Sequence, residues 1–429
     1  MEQPPIVEFR DDREARLDHG RSGWRAYLVA LPVVAAVAAV AFLGVTGPKG
    51  TSTGTARSSA HSTPTPYWVA APTPSPIDIP DLSTIQVSDT NTFTAALPPD
   101  ALPLDADGDN FLYASAGGLY VVSSNQTPLT TIQVATALPC GQFEKASLSG
   151  TDVIYSELVP AGYSGDGSEG CPGFGDAVDW YVSITDFRGV SRQVNGGTYV
   201  DPQIGAATAA PDVAIANGLY AFSRPDRFGK SAVVEVHRLV DDSQQYESVA
   251  LALPVHVRLG EGRLVVVSSG PAPADSLFGT TSVWSTEDWA QPLGAVGLAF
   301  GPVALSRDGR RLVFAGCERD GDKSKCDSLE TLAPGIHWAR QLPTPATFVS
   351  LDSASDSRLN ATAWISSTLD DRPYIGVDTA LGDKGIALVG INQPTWVGIH
   401  DDALLWLSLA PDGSATLARL DLLSVISAT

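Results

Sequence analysis

Two hydrophobic patterns divide the chain. From Ala26 to Pro48 it carries no charge and is almost wholly apolar up to Val45. About 20 apolar residues at 1.5 Å rise per residue cover the roughly 30 Å hydrocarbon core of a bilayer, so residues 26–45 are predicted as one transmembrane helix. From about Leu82 onward the pattern changes to short apolar runs separated by Gly, Asp and Pro turns, with no sustained helical period. That pattern predicts an all-β domain over residues 82–429.

Seven of the apolar runs share one form, an aromatic- or valine-bearing strand after a polar turn. They are Phe111-Leu-Tyr-Ala, Asp152-Val-Ile-Tyr-Ser, Gly218-Leu-Tyr-Ala-Phe, Arg263-Leu-Val-Val-Val, Arg311-Leu-Val-Phe-Ala, Ala363-Trp-Ile-Ser and Ala403-Leu-Leu-Trp-Leu. With Tyr113, Tyr155, Tyr220, Val266, Phe314, Trp364 and Trp406 as equivalent positions, the steps are 42, 65, 46, 48, 50 and 42 residues. That is the length of a four-stranded propeller blade. The long step contains the Gly-rich insertion 161–179. The predicted fold is a seven-bladed β-propeller, with six blades as the alternative because the first and sixth repeats are degenerate. The last repeat runs out after a third strand at 416–423, so the segment Thr84-Ile-Gln-Val-Ser88 is expected to complete it and close the ring.

Charge fixes the orientation. Arg10, Arg13, Arg16, Arg21 and Arg25 precede the apolar span and only Lys49 and Arg57 follow closely. Positive charge stays on the cytoplasmic side, so residues 1–25 are expected to be a short cytoplasmic tail and the propeller to lie outside the cytoplasmic membrane, periplasmic or extracellular. A cleaved signal peptide is the competing reading, but its apolar region is usually shorter. Residues 46–81 are rich in Pro, Ser and Thr and form a linker. The net charge is -21, and removing the tail, with five arginines and six acids, leaves -20 for the rest. So acidic a domain excludes a nucleic-acid partner, whose phosphates require clustered Lys and Arg. It leaves an envelope protein or small ligand on one propeller face, with membrane contact through the single helix.

All four cysteines lie beyond the span. Their positions suggest the pairs Cys140 with Cys171 and Cys317 with Cys326, each within one repeat, in an oxidising compartment. The sequence Leu305-Ser-Arg-Asp-Gly-Arg-Arg-Leu-Val-Phe314 resembles the WD40-like repeat of the TolB-type β-propellers, in which Ser-Pro-Asp-Gly precedes an apolar strand. Ala210-Pro-Asp212 is a partial echo, and Ala410-Pro-Asp-Gly413 carries the letters in a later turn of its repeat. The resemblance implies a propeller used as a binding platform in a bacterial envelope and brings no catalytic residue with it.

Only one segment suggests ligand chemistry. Asp105, Asp107 and Asp109 stand at the first, third and fifth places of a calcium-loop spacing, although Asn110, Tyr113 and Ala116 occupy places where such loops carry other residues. Calcium is therefore the one cofactor considered, none being required, and a polar turn is the alternative. His237, His256, His337 and His400 fall in or beside strands of four repeats, where convergence at a channel mouth would suit acid-base work. The tryptophans follow the strand spacing and are read as packing between blades. The expected function is a non-enzymatic binding or scaffold module of the cell envelope. The alternatives are a sensory ectodomain reporting through the tail and a cation-dependent propeller hydrolase or lyase.

Overall fold

The structure is a computed structural model that describes residues 76–77, 83–87 and 92–426, apart from short internal segments at 125–129, 164–169, 201–208, 269–278, 287–288, 290–293, 321–322, 334–335, 342–350, 354–360, 370–371, 380–384 and 401. Some strands between residues 279 and 379 are described as backbone only. The cytoplasmic tail, the membrane span and nearly all of the linker predicted from sequence lie outside the described residues. Among those described, no helix is long and apolar enough to cross a membrane.

Strands dominate because the repeats are rich in β-branched and aromatic residues with glycine-bearing turns between them. Asn217 and Gly218 both take positive φ, 50° and 74°, and join Val213–Ala216 to Leu219–Pro225 as a two-residue hairpin. In each sequence repeat the chosen equivalent residue falls on the second strand. Tyr113 lies on Asn110–Ser115, Tyr155 on Asp152–Pro160, Tyr220 on Leu219–Pro225, Val266 on Arg263–Ser268, Phe314 on Leu312–Asp320, Trp364 on Ala361–Leu369 and Trp406 on Ala403–Leu409. The Gly-rich insertion expected at 161–179 falls, as read, almost wholly between strands Asp152–Pro160 and Ala177–Asp186, and Asn195-Gly196 lies within strand Arg192–Val200.

The described strands form six hydrogen-bonded sheets, one of them with eight strands. The expectation of seven separate blades is corrected here. The fourth and fifth repeats share the 12-residue strand Gly294–Leu305, which pairs through its first half with Gly279–Ser285 and through its second half with Leu312–Asp320. No turn separates the two halves, so hydrogen bonding runs unbroken from one repeat into the next. That sheet still bends back on itself, because Val265 and Val267 pack against Val303, Leu305, Leu312 and Phe314.

Elsewhere each core cluster joins one sheet to the next. Ile154 and Trp180 pack with Val213 and Phe222; Ala214 and Val234 pack with Val257 and Leu264; Ile365 and Ile375 pack with Leu404 and Trp406. Phe111 and Val122 then meet Leu405 and Leu417, which brings the last sheet back to the first. Both faces of each sheet are thereby buried, which explains apolar runs in place of strict alternation. The ring closes through Thr92–Leu97, hydrogen-bonded antiparallel to Ala415–Asp421. Closure from the N-terminal side is as expected, but the segment is not. Ser83–Gln86 instead adds in parallel to Ile386–Val389 of the preceding sheet.

Candidate functional site

The first strand of successive repeats lines a central cavity of about 390 Å³, with Leu104, Ala146, Val213, Leu259, Ala304 and Trp396 among its walls. These strands run in one direction around it, as their cross-contacts show. Leu148 donates its backbone N–H to Asp105, Ile215 to Ser147 and Val257 to Asp212. Each time, a side chain of one repeat accepts from the first strand of the next. The channel therefore has an end where first strands turn into second strands, the hairpin end, and an end where the chain enters them, the entry end.

The sequence-predicted carboxylates lie at the hairpin end. Asp105 Oδ1 accepts from the N–H of Ala106 at 2.9 Å and Oδ2 from that of Leu148 at 2.7 Å. Asp107 Oδ2 accepts from the N–H of Gly150 at 2.6 Å. Between the two acids reaches Arg307 from the fifth repeat. It lies 3.3 Å from Asp105 and 3.6 Å from Asp107, and it donates to the carbonyls of Leu148 at 2.7 Å and Ala106 at 2.6 Å. His400 Nε2 stands 3.5 Å from Asp107, and Arg419 stands 3.4 Å from Asp109. The three carboxylates thus face cations supplied by the chain itself. Among the described residues no group of three acidic, histidine or cysteine side chains is placed to hold a metal ion. The donor set present is built around a guanidinium, whose planar fork suits two carboxylates and two carbonyls.

Arg307 occupies the place that Pro holds in the Ser-Pro-Asp-Gly motif, and the turn around it is tied to itself. Ser306 Oγ donates to Asp308 Oδ1 at 2.6 Å, and the N–H groups of Arg310 and Arg311 donate to Asp308 Oδ1 and Ser306 Oγ. Gly309 takes φ +66°, and a Cβ there would stand 2.2 Å from the carbonyl oxygen of Glu261 in the neighbouring turn. A rigid turn thus launches Arg307 across the channel mouth.

At the entry end the charges are arranged differently. Asp212, 5% exposed, accepts from the N–H of Val257 at 3.0 Å. It is approached by His256 Nδ1 at 3.4 Å and Arg258 at 3.3 Å. Burial opposes its ionisation, but Arg258 and His256 outweigh burial and hold the carboxyl well below the usual carboxylate range. Lys145 and Glu144 line the same cavity. Burial raises Glu144 above its ordinary value, and Lys145 partly offsets this. The short echo Ala210-Pro-Asp212 and the histidine candidate His256 marked this cluster in the sequence; the echo sits before a first strand, not in the turn that Asp308 occupies.

Glu157, 3% exposed, lies apart from the channel charges and accepts from the N–H of Leu138 at 2.5 Å. Burial pushes it up to about 7, against that hydrogen bond. A Cβ on Gly141 would stand 1.8 Å from its Oε1, so the loop following Leu138 needs glycine there. The loop is anchored by the disulfide Cys140–Cys171, as predicted. The backbone register sets Cys317 directly opposite Cys326 on paired strands, and their side chains lie outside the described residues.

Among the described residues the histidine side chains do not converge. His256 begins a first strand, His400 ends one at the opposite end of the channel, and the side chain of His337 lies outside the described residues. His237 stacks on Tyr220 and Phe222 and bonds Glu235 at 3.1 Å, which raises its affinity for a proton. Trp180, Trp364 and Trp406 are buried in the sheets, while Trp396 meets Phe111 edge-on at 5.1 Å.

No family model matches the sequence, and no curated protein matches it. Solved structures with a similar course of chain include the β-propeller domain of the Trilobed protease from Pyrococcus furiosus. It is 11% identical, with a TM-score of 0.44 over 64% of this chain and 79% of that one. The Neurospora crassa Pan2 WD40 domain is 8% identical, with a TM-score of 0.47 over 78% of this chain and 97% of that one. A prolyl endopeptidase is 13% identical, with a TM-score of 0.49 over 78% of this chain and 47% of that one. The fold is a WD40-like β-propeller, and that statement rests on the sheets and seams described above.

Proposed function

We propose that the protein is a non-enzymatic binding or scaffold module of a bacterial cell envelope, held outside the cytoplasmic membrane by the apolar span 26–45. The observation that carries this reading is how the channel acids are used. Asp105, Asp107 and Asp212 each accept a backbone N–H from the next repeat and each face an arginine. Acids committed to joining neighbouring repeats are poor general bases, because their oxygens are already engaged by fixed partners and are not free to reach a substrate proton. The arginine-rich tail and the uncharged span support the anchor and its orientation. The eight-stranded sheet is read as two four-stranded blades fused along Gly294–Leu305, which gives a ring of seven repeats on six sheets. The turn at Ser306 to Gly309 supports a relationship to the TolB-type propellers.

The test is hydrolysis of peptide anilides and aryl esters by the full chain in neutral detergent, alongside Asp212→Asn and Asp105→Asn. A binding module gives no turnover above buffer, and the substitutions lower only thermal stability. Turnover abolished by Asp212→Asn at unchanged stability would contradict it. Orientation is checked by fusing to the C-terminus a reporter that is active only outside the cytoplasm. Activity is expected, and a silent but stably produced fusion would overturn the topology.

A further inference from the structure

We propose that the entry half of the channel binds a small anion of carboxylate or phosphate chemistry, with Lys145 and Arg258 as its cationic contacts. The proposal rests on the binding-module reading and names the ligand class that such a module would take.

The argument starts from local charge. In a chain of net charge -21, Asp212 is surrounded by three basic side chains, Lys145, His256 and Arg258. Of the two acids there, Asp212 and Glu144, only Asp212 stands within ion-pair distance of a permanent cation among the described residues, and that cation is Arg258. Arg258 uses one terminal nitrogen on the carbonyl of Val257 at 2.7 Å and on Asp212. Its remaining N–H groups and the ammonium of Lys145 meet no hydrogen-bond acceptor among the described residues, and both side chains line the cavity. An ammonium carries three donors and a guanidinium five, so the site holds several unspent donors on one wall. Glu144, the other acid there, forms no ion pair with Lys145 among the described residues.

The cavity also fits such a ligand in size and shape. The whole channel cavity, which also takes in Asp105 and Arg307 at the hairpin end, measures about 390 Å³, within the roughly 300–1,000 Å³ typical of small-molecule sites. Leu259 and Trp396 add apolar surface for a carbon skeleton beside the cations. At the other end Arg307 reaches across the mouth to Ala106 and Leu148, so a ligand would arrive from the entry end. A partly enclosed channel strengthens charge-assisted hydrogen bonds over their value in open water.

The test is isothermal titration of the full chain in neutral detergent at low ionic strength, with sodium phosphate in one arm and sodium succinate in the other. Saturable one-to-one binding is expected in at least one arm, and the arm with the lower Kd assigns the ligand chemistry. Lys145→Met should weaken it at least tenfold, Lys145→Arg should restore most of it, and Arg419→Met at the hairpin end should leave it within twofold. Because Arg258 also supports Asp212, Arg258→Met is paired with a thermal melt to confirm folding. Absence of saturable binding in both arms, or binding indifferent to Lys145→Met, would overturn the proposal. Failure here leaves the module reading standing, whereas turnover sensitive to Asp212→Asn would remove that reading itself.

Discussion

The two ends of the channel solve the same electrostatic problem in opposite ways. At the hairpin end two aspartates share one arginine that has crossed from a repeat about 200 residues away, and that arginine also bonds two carbonyls. The charges of Asp105, Asp107 and Arg307 are matched there within the protein. At the entry end one aspartate meets three basic groups, and the most exposed of them, Lys145, is left without a direct protein partner among the described residues. Matched charge lends itself to holding a ring together, while unmatched charge facing a cavity lends itself to holding something else. The same fold can therefore brace one mouth of its channel and keep the other receptive.

This contrast is broken most strongly at Asp212. Asp212→Ala leaves the N–H of Val257 without its acceptor and Arg258 without its counter-ion, and should cost about 3 kcal/mol in chemical denaturation. Asp212 also gives the pH dependence its sign. Its folded pKa is depressed, so its contribution is present above the unfolded value and lost as pH falls through and below it; Asp212→Asn should flatten acid unfolding below about pH 4. Arg307→Met comes next, at about 2 kcal/mol, since three charge-assisted contacts are lost at a site that remains partly open to water. Glu157 offers a smaller effect of opposite sign. Its folded pKa is raised to about 7, so its stability is intact below about pH 4.5 and is lost as pH rises toward 7. Glu157→Gln should remove that slope and gain about 1 kcal/mol at neutral pH. Smallest of all is Lys145→Met, expected within about 0.5 kcal/mol of the parent, because an exposed cation without a partner contributes little to folding.

Much of the architecture was legible because burial on both faces imposes a repeated strand composition. The seven positions from Tyr113 to Trp406 all fall on second strands for that reason. Cys140 and Cys171 were legible because both lie within a single repeat. What local pattern could not decide was pairing between distant segments. Residues 84–88 and 92–97 are both β-prone, and only the tertiary register assigns one to the preceding sheet and the other to the closure. The fusion along Gly294–Leu305 likewise depends on the absence of a turn that composition alone does not reveal. In the site, Asp105 and Asp107 were found by their spacing, but their partner Arg307 lies too far along the chain for spacing to show it. Asp212 was visible only as a motif fragment, and the basic residues around it come from two different first strands, Gln142–Ser149 and His256–Gly260.

The most direct measurement is a pair of double-mutant cycles followed by denaturant unfolding of the full chain. One cycle combines Asp105→Asn with Arg307→Met, and the other combines Asp212→Asn with Lys145→Met. Contacting charges should couple and unmatched ones should not, so the account predicts about 1 kcal/mol of coupling in the first cycle and a few tenths at most in the second. Additive effects at the hairpin end together with strong coupling at the entry end would contradict it, since the clasp and the receptive end would then have exchanged places.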